Sequence, residues 1–234
     1  MDDSDIQLRP VRLDDFWLFE RQAVDPEAGG LFNWSGYKDP TSARRQFDQN
    51  GLLGPDAGRL VVSTGGTVIG DVAWSRVTYG LPTWWCWNIG ISLLPEFRYR
   101  GLGTAAQTQL VRYLFETTPA ERIEAYTDVQ NKPEQRASEK VGFTRDGVLR
   151  STQFRDGQWC DLYLYSLLRQ ELETGPGYGY GELRPPAGEA VSEAVSEAVS
   201  ALPFRPVGRP RRCAGRARYA RSAGARPAGR RAGP

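Results

Sequence analysis

The chain has 234 residues, 40% of them apolar and 25% charged, and its formal charge of +2 conceals a division. Residues 203–234 hold ten arginines and no acid, so the other 202 residues carry twenty basic and twenty-eight acidic side chains, a net of −8. With no histidine, a Ser-His-Asp triad, a Cys-His pair and a histidine-ligated zinc are excluded. Cys86, Cys160 and Cys213 are too few and too scattered for a disulfide framework or a cysteine metal site, so no metal is expected. Met1 to Asp5 is acidic with no apolar stretch behind it, and no run approaches the roughly 18 residues of a spanning helix. The expectation is a soluble protein of the reducing cytoplasm, without a membrane partner.

In chain order, periodicity predicts a strand over Ile6 to Arg12, then a helix over Leu13 to Val24 capped near Asp14 or Asp15. A second helix follows over Thr41 to Gln49, with Pro40 before it. Leu60 to Ser63 and Val68 to Thr78 read as a hairpin through Gly65-Gly66, and Trp85 to Leu94 as a long strand. Leu102 to Thr117 is a helix and Arg122 to Asp128 a strand. Lys132 to Val141 is a short helix with Asn131 as its N-cap and Pro133 in its first turn. Gly147 to Phe154 and Trp159 to Leu168 close the domain as a hairpin across Asp156-Gly157. The order β-α-α-β-β-β-α-β-α-β-β predicts an α+β fold with a mixed, mostly antiparallel sheet of about seven strands and about four helices.

Patterned apolar sequence stops near Leu172, so residues 1–172 are expected to form one domain. Residues 173–202 read as a linker that repeats Glu-Ala-Val-Ser three times, and 203–234 as a disordered Arg-rich tail.

The most informative stretch runs from Leu93 through Pro95-Glu96-Phe97-Arg98-Tyr99-Arg100-Gly101-Leu102-Gly103-Thr104. Glycines at a helix start let backbone N–H groups close on a phosphate, with the helix dipole and two arginines adding positive charge. Gly101, Gly103 and Ala106 also fit G-x-G-x-x-A, with Glu124 about twenty residues on, which raises a Rossmann site. Six residues between strand and glycine, and the antiparallel strands upstream, argue against it. A Walker loop fails for want of Gly-Lys-Ser/Thr. A glycine-containing helix start without a ligand is the remaining reading.

Arg-x-x-Gly-x-Gly after a strand ending in Leu-x-Pro resembles the coenzyme A loop of the GNAT acyltransferase superfamily. Asn131 followed by Ser138-Glu139-Lys140-Val141-Gly142-Phe143 is similar to that family's second signature. Gly147-Val148-Leu149-Arg150, Asp156-Gly157 and Asp161 to Leu168 resemble the ending of its Rim-type branch, which acetylates protein N-terminal and small-molecule amines. The resemblance implies a GNAT-like fold that uses acetyl-CoA as co-substrate, with a small-molecule or peptide amine as acceptor. It implies that Arg98, Tyr99, Arg100, Gly101, Leu102, Gly103 and Thr104 hold the pyrophosphate, mostly through backbone N–H. Leu93 would then pair its backbone with the pantetheine arm, and Asn131 would contact pantetheine or serve only as a cap. Lys132 and Arg136 reach the phosphates or remain solvated helix charges.

The reaction needs a neutral amine, a stabilised oxyanion and a protonated leaving thiolate. The family's sulfur-protonating tyrosine corresponds here to Ser138, which is expected as the acid or thiolate stabiliser. Two usual acidic places hold Asn88 and Gln153, neither of which can take a proton. Asp161 is the remaining carboxylate at a matching position, beside a water relay. Trp34, Tyr37, Trp85 and Trp87 are expected around the acceptor, where aromatic walls suit a cationic or flat group. The alternative for Trp85 and Trp87 is simple core packing. The tail permits a rival, an aminoacyl-tRNA-dependent transferase anchored on RNA, but an unselected basic extension is favoured over it. The missing acids motivate a third reading, a non-catalytic acyl-CoA-binding module.

Overall fold

The computed structural model describes residues 6–173, so the expected tail and all but the first residue of the expected linker lie outside the described residues. Seven strands form one sheet in the order β1-β2-β3-β4-β5-β7-β6. They are β1 (Ile6–Pro10), β2 (Ala57–Thr64), β3 (Thr67–Thr78), β4 (Trp85–Leu93), β5 (Arg122–Asp128), β6 (Thr144–Arg155) and β7 (Gln158–Leu168). Every neighbouring pair is antiparallel except β4 with β5. The expected mixed sheet is therefore present. The helices are α1 (Phe16–Val24), α2 (Pro26–Gly29), α3 (Ser42–Asn50), α4 (Leu102–Thr117), α5 (Lys132–Val141) and α6 (Arg169–Glu173).

Two of these six were not anticipated. Short α2 has a local cause in Asp25, whose side chain accepts a hydrogen bond from the Glu27 N–H while Pro26 occupies the first turn. The first expected helix is divided: Leu13–Asp15 is a 3-10 turn, and α1 starts only at Phe16. Asp15 does not cap α1 with its side chain. Its carboxylate turns back to the Arg12 N–H (2.7 Å) and to both terminal nitrogens of Arg9 (2.7 and 2.8 Å), which tie β1 to the turn.

Apolar residues sort to the two faces of the sheet. On one, Trp74, Trp87, Ile89, Ile123 and Tyr165 pack against Leu110, Val111 and Leu114 of α4 and against Phe143 after α5. On the other, Val61 and Leu94 pack with Phe16, Leu18 and Phe19 of α1 and Leu52 after α3. Each fully buried leucine contributes about 1.5–3 kcal/mol, so α4, with Leu110 and Leu114 at 0% exposure, is firmly held. Among the described residues no helix is long and apolar enough to cross a membrane.

The site is positioned by a break between β4 and β5, the one parallel pair among the described residues. Register between β4 and β5 covers Trp87↔Ile123, Asn88↔Glu124 and Ile89↔Ala125 alone. Beyond that, β4 stays with β3 out to Leu93↔Gly70, and β5 stays with β7 out to Asp128↔Leu162. The two halves of the sheet diverge, and the facing edges of β4 and β5 keep backbone groups that no strand satisfies. At Gly70 a Cβ would collide with the Ser92 carbonyl, so glycine lets β3 follow β4 closely to this end.

Candidate functional site

A cavity of about 440 Å³ opens where β4 and β5 part. Its walls are the end of β4 (Ile91 to Leu93), the loop into α4, one face of α5 from Pro133 to Lys140 and the segment Gly30 to Asn33. The loop begins with a 3-10 turn, Pro95–Phe97, after which Tyr99 has φ +62 and Gly101 φ +81. Gly101 is the N-cap of α4 and needs the left-handed conformation that glycine adopts without cost. Tyr99 adopts it as an exposed non-glycine residue, a strain of about 1–2 kcal/mol. The first N–H groups of α4 have no intrahelical partners, and the positive end of the helix dipole lies with them. This is an anion cradle.

The loop residues divide in role. Gly101, Gly103, Thr104, Tyr99 and Arg98 line the cavity. Leu102 is buried in the core beneath α4, so only its backbone is placed to contribute. Arg100 is exposed and lies over the Phe97 ring at 5.8 Å. Arg98 differs from the expectation of a free phosphate ligand. Its Nε donates to the Leu93 carbonyl (2.8 Å) and its Nη2 to the carbonyls of Glu27 (2.7 Å) and Ala28 (3.4 Å). Burial pushes its pKa below the ordinary arginine value. The guanidinium therefore joins the end of β4 to α2 and supplies its charge to the cavity at second hand. Leu93 lines the cavity, with its carbonyl taken by Arg98, while the Leu94 N–H donates to Ile69 (2.9 Å).

Across the cavity, Asn131 lines the wall and accepts from the Glu134 N–H at 3.4 Å, so cap and cavity positions coincide. Glu134, Ala137 and Lys140 follow on one face of α5 at three-residue steps, with Arg136 beside them. Sequence reasoning missed Glu134, Lys140 and the Gly30–Asn33 segment. The Asn-x-x-Glu start of α5 pointed to a capped helix, and only its rotation against α4 shows which side faces the cavity.

Ser138 is fully buried, and among the described residues its Oγ has no hydrogen-bond partner. It lies on the sheet side of α5 rather than in the cavity lining, and Thr127 Oγ1 of β5 is likewise buried without a partner. Two buried hydroxyls without a partner, one on α5 and one on β5, are a cost that packing does not explain. Asp161 is occupied elsewhere. Its carboxylate accepts from the Ser151 N–H (2.8 Å) inside the irregularity between Leu149 and Gln153, where Ser151 has φ +51. It organises the β6–β7 hairpin and lines no described cavity.

The four expected aromatics are not gathered. Trp87 is 4% exposed, donates from Nε1 to Thr118 Oγ1 (3.0 Å) and belongs to the core under α4. Trp85 stacks edge-on against it at 5.1 Å and lies under the Arg76 guanidinium. Both stand at the beginning of β4, the end opposite Leu93, because the strand's alternation turns them to the helix side. Trp34 and Tyr37 meet edge-on at 5.6 Å just after the cavity segment, and Tyr37 is 81% exposed. Neighbouring Phe32 does line the cavity, and its carbonyl accepts from Gln153 Nε2 (3.0 Å) and Arg155 Nη1 (3.1 Å). Arg155 in turn pairs with buried Asp128 at 2.8 Å.

A second cavity, about 360 Å³, lies on the face of α3 and includes Ala73, Ser75, Asn88 and Gly90. Asn88 is in register with Glu124, a fully buried carboxylate that accepts from Tyr79 (2.6 and 2.7 Å), Tyr126 (3.0 Å) and Arg122 (2.6 Å). Burial and that negative charge push the nearby Cys86 thiol up to about 12.

A split mixed sheet with an anion cradle at the break defines the class, and comparison with known proteins agrees. The family model of the acetyltransferase (GNAT) domain matches residues 5–144, more than half of the chain. An uncharacterized N-acetyltransferase of Bacillus licheniformis, p20, is 26% identical over 170 residues, covering 71% of this chain and 94% of p20. YdaF of Bacillus subtilis, to which ribosomal N-acetylation is ascribed, is 34% identical over 86 residues, 37% of this chain, so the match spans only 47% of that relative. Among solved structures, spermidine N-acetyltransferase of Vibrio cholerae in complex with CoA and spermine superposes with a TM-score of 0.63 at 18% identity, covering 72% of this chain and 98% of that one. Mycobacterium smegmatis RimJ in complex with CoA-disulfide gives 0.60 at 24% identity, covering 71% and 83%. The chain belongs to the GNAT acetyltransferase family, a class of CoA-dependent N-acetyltransferases. Its likeness extends to the Rim-type branch.

Proposed function

We propose that this protein moves an acetyl or other small acyl group from acetyl-CoA to a primary amine of a small molecule or protein N-terminus, by direct attack on the thioester, in the cytoplasm. The observation that carries this reading is the divergence of β4 and β5 into a cavity bounded by the N-terminus of α4. The residues present fit the donor. Backbone N–H groups from Gly101 to Thr104 suit its pyrophosphate, with Arg136, Lys140 and nearby Arg100 supplying positive charge. The edge of β4 beyond Ile89, which β5 no longer pairs, with Asn131 opposite, suits the pantetheine amides.

The acceptor reaches β4 from the other face, where Asn88, Gly90 and Ser75 line an open groove. Neither amide side chain at the two altered positions accepts a proton, and the Gln153 amide is spent on Phe32. The amine loses its proton through water. In this reading Ser138, buried behind the cavity wall with a hydroxyl that lacks a partner, turns that hydroxyl to the leaving thiolate once the donor is bound. Thiol release from acetyl-CoA against a panel of primary amines tests the proposal. Amine-dependent release is expected, with Ser138→Ala slowing turnover more than it weakens donor binding. Donor binding with no release for any amine would leave a binding module instead of an enzyme.

A further inference from the structure

Glu134 is the single acid among the described residues lining the larger cavity, against the cations Arg98, Arg136 and Lys140. None of the three forms an ion pair with it; Arg98 is bound to backbone carbonyls, and Lys132, a fourth cation two residues before Glu134, donates to Val129 O and Gln135 Oε1. The one hydrogen-bond partner of its carboxyl among the described residues is Gln107 Nε2 at 3.0 Å, from a side chain buried in α4 at 2% exposure. The segment Gly30 to Asn33 and the end of β4 bring no charged group to this wall. Burial pushes the carboxyl above its ordinary pKa, although Gln107 and the first turn of α5 both favour the ionised form.

An ionised carboxylate here would be an acceptor only, facing a donor that brings a diphosphate and two amide carbonyls into the same cavity. As the acid it has an O–H to give one of those carbonyls, while Gln107 continues to donate to its second oxygen. We propose that Glu134 holds the pantetheine arm of the CoA thioester as a carboxylic acid, so that donor binding takes up a proton at this residue. No covalent bond changes; one solvent proton is bound with the ligand and released with it. The inference rests on the donor assigned above.

The test is calorimetric titration of acetyl-CoA into the wild-type chain and Glu134→Gln between about pH 5.5 and 8. The glutamine keeps an N–H donor and cannot ionise. The ligand's own phosphate titration near pH 6 is common to both proteins and cancels in the ratio of their Kd values. Wild-type Kd divided by variant Kd is expected near one at the acid end and about three- to tenfold higher at the alkaline end. Glu134→Ala should lose the same pH dependence while binding more weakly than the glutamine variant, which covers a glutamine variant that folds poorly. A flat ratio, or a glutamine variant that binds more weakly than wild type at pH 8, overturns the role of Glu134. Failure of wild type itself to bind would instead overturn the donor assignment.

Discussion

Arg98 shows how a side chain at a motif position can act through the backbone. It satisfies the carbonyls of Leu93, Glu27 and Ala28 at once. Arg98→Ala should therefore cost about 1–3 kcal/mol of stability, roughly 3–8 °C in the thermal midpoint, with Arg98→Lys recovering only part. An unchanged midpoint with weakened donor binding would show a direct phosphate ligand instead. Glu134 makes a pH prediction of definite sign. A carboxyl raised above its unfolded value makes the native state bind the proton more readily, so its contribution falls as pH rises from the unfolded to the folded value. Glu134→Gln should accordingly gain thermal stability relative to wild type on going from pH 4 to neutrality; a constant difference would contradict the burial argument. Cys86, held as a thiol by burial and the charge of Glu124, should resist alkylation at pH 8 in the native protein and react after unfolding. Rapid native labelling at Cys86 would show that β4 opens on that timescale.

At the scale of elements, the capped start of α5 carries two duties, since Asn131 both accepts from the Glu134 N–H and lines the cavity. Asn131→Asp preserves the cap, whereas Asn131→Ala removes it at a cost of about 1 kcal/mol. Donor affinity separates the duties: weakening by alanine alone marks a cap, and weakening by both marks a contact. The strands, α4, α5 and the Gly101 cap were legible because each announces itself locally, in alternation, in a glycine at a helix start or in an Asn-Lys-Pro cap. Helix α2 was missed because four residues give no period to read. Trp85 and Trp87 were placed at the acceptor by type, yet alternation along β4 turns both toward the helix side of the sheet, where Trp87 packs under α4. Asp161 matched a catalytic place in register, but the break between Leu149 and Gln153 draws its carboxylate to the Ser151 N–H. Such bulges leave no mark in a pattern of apolar residues.

For the whole molecule, charge is distributed in a way that the total of +2 does not describe. The first 202 residues are net negative, while the cavity they build collects Arg98, Arg136 and Lys140 around one acid. The residues that line the cavity all fall between Gly30 and Lys140, so a chain ending at 202, without the ten arginines of 203–234, should keep its donor affinity. Loss of donor affinity on truncation would give the tail a part in the site. The central claim is that the space between the diverging ends of β4 and β5 receives acetyl-CoA, and direct calorimetric titration with that ligand is its shortest test. One acetyl-CoA per chain is predicted, displaced by CoA and weakened when Gly103→Trp fills the wall beside Leu93 and Ile91. Absence of a binding isotherm at millimolar acetyl-CoA, from protein that melts cooperatively, would contradict it.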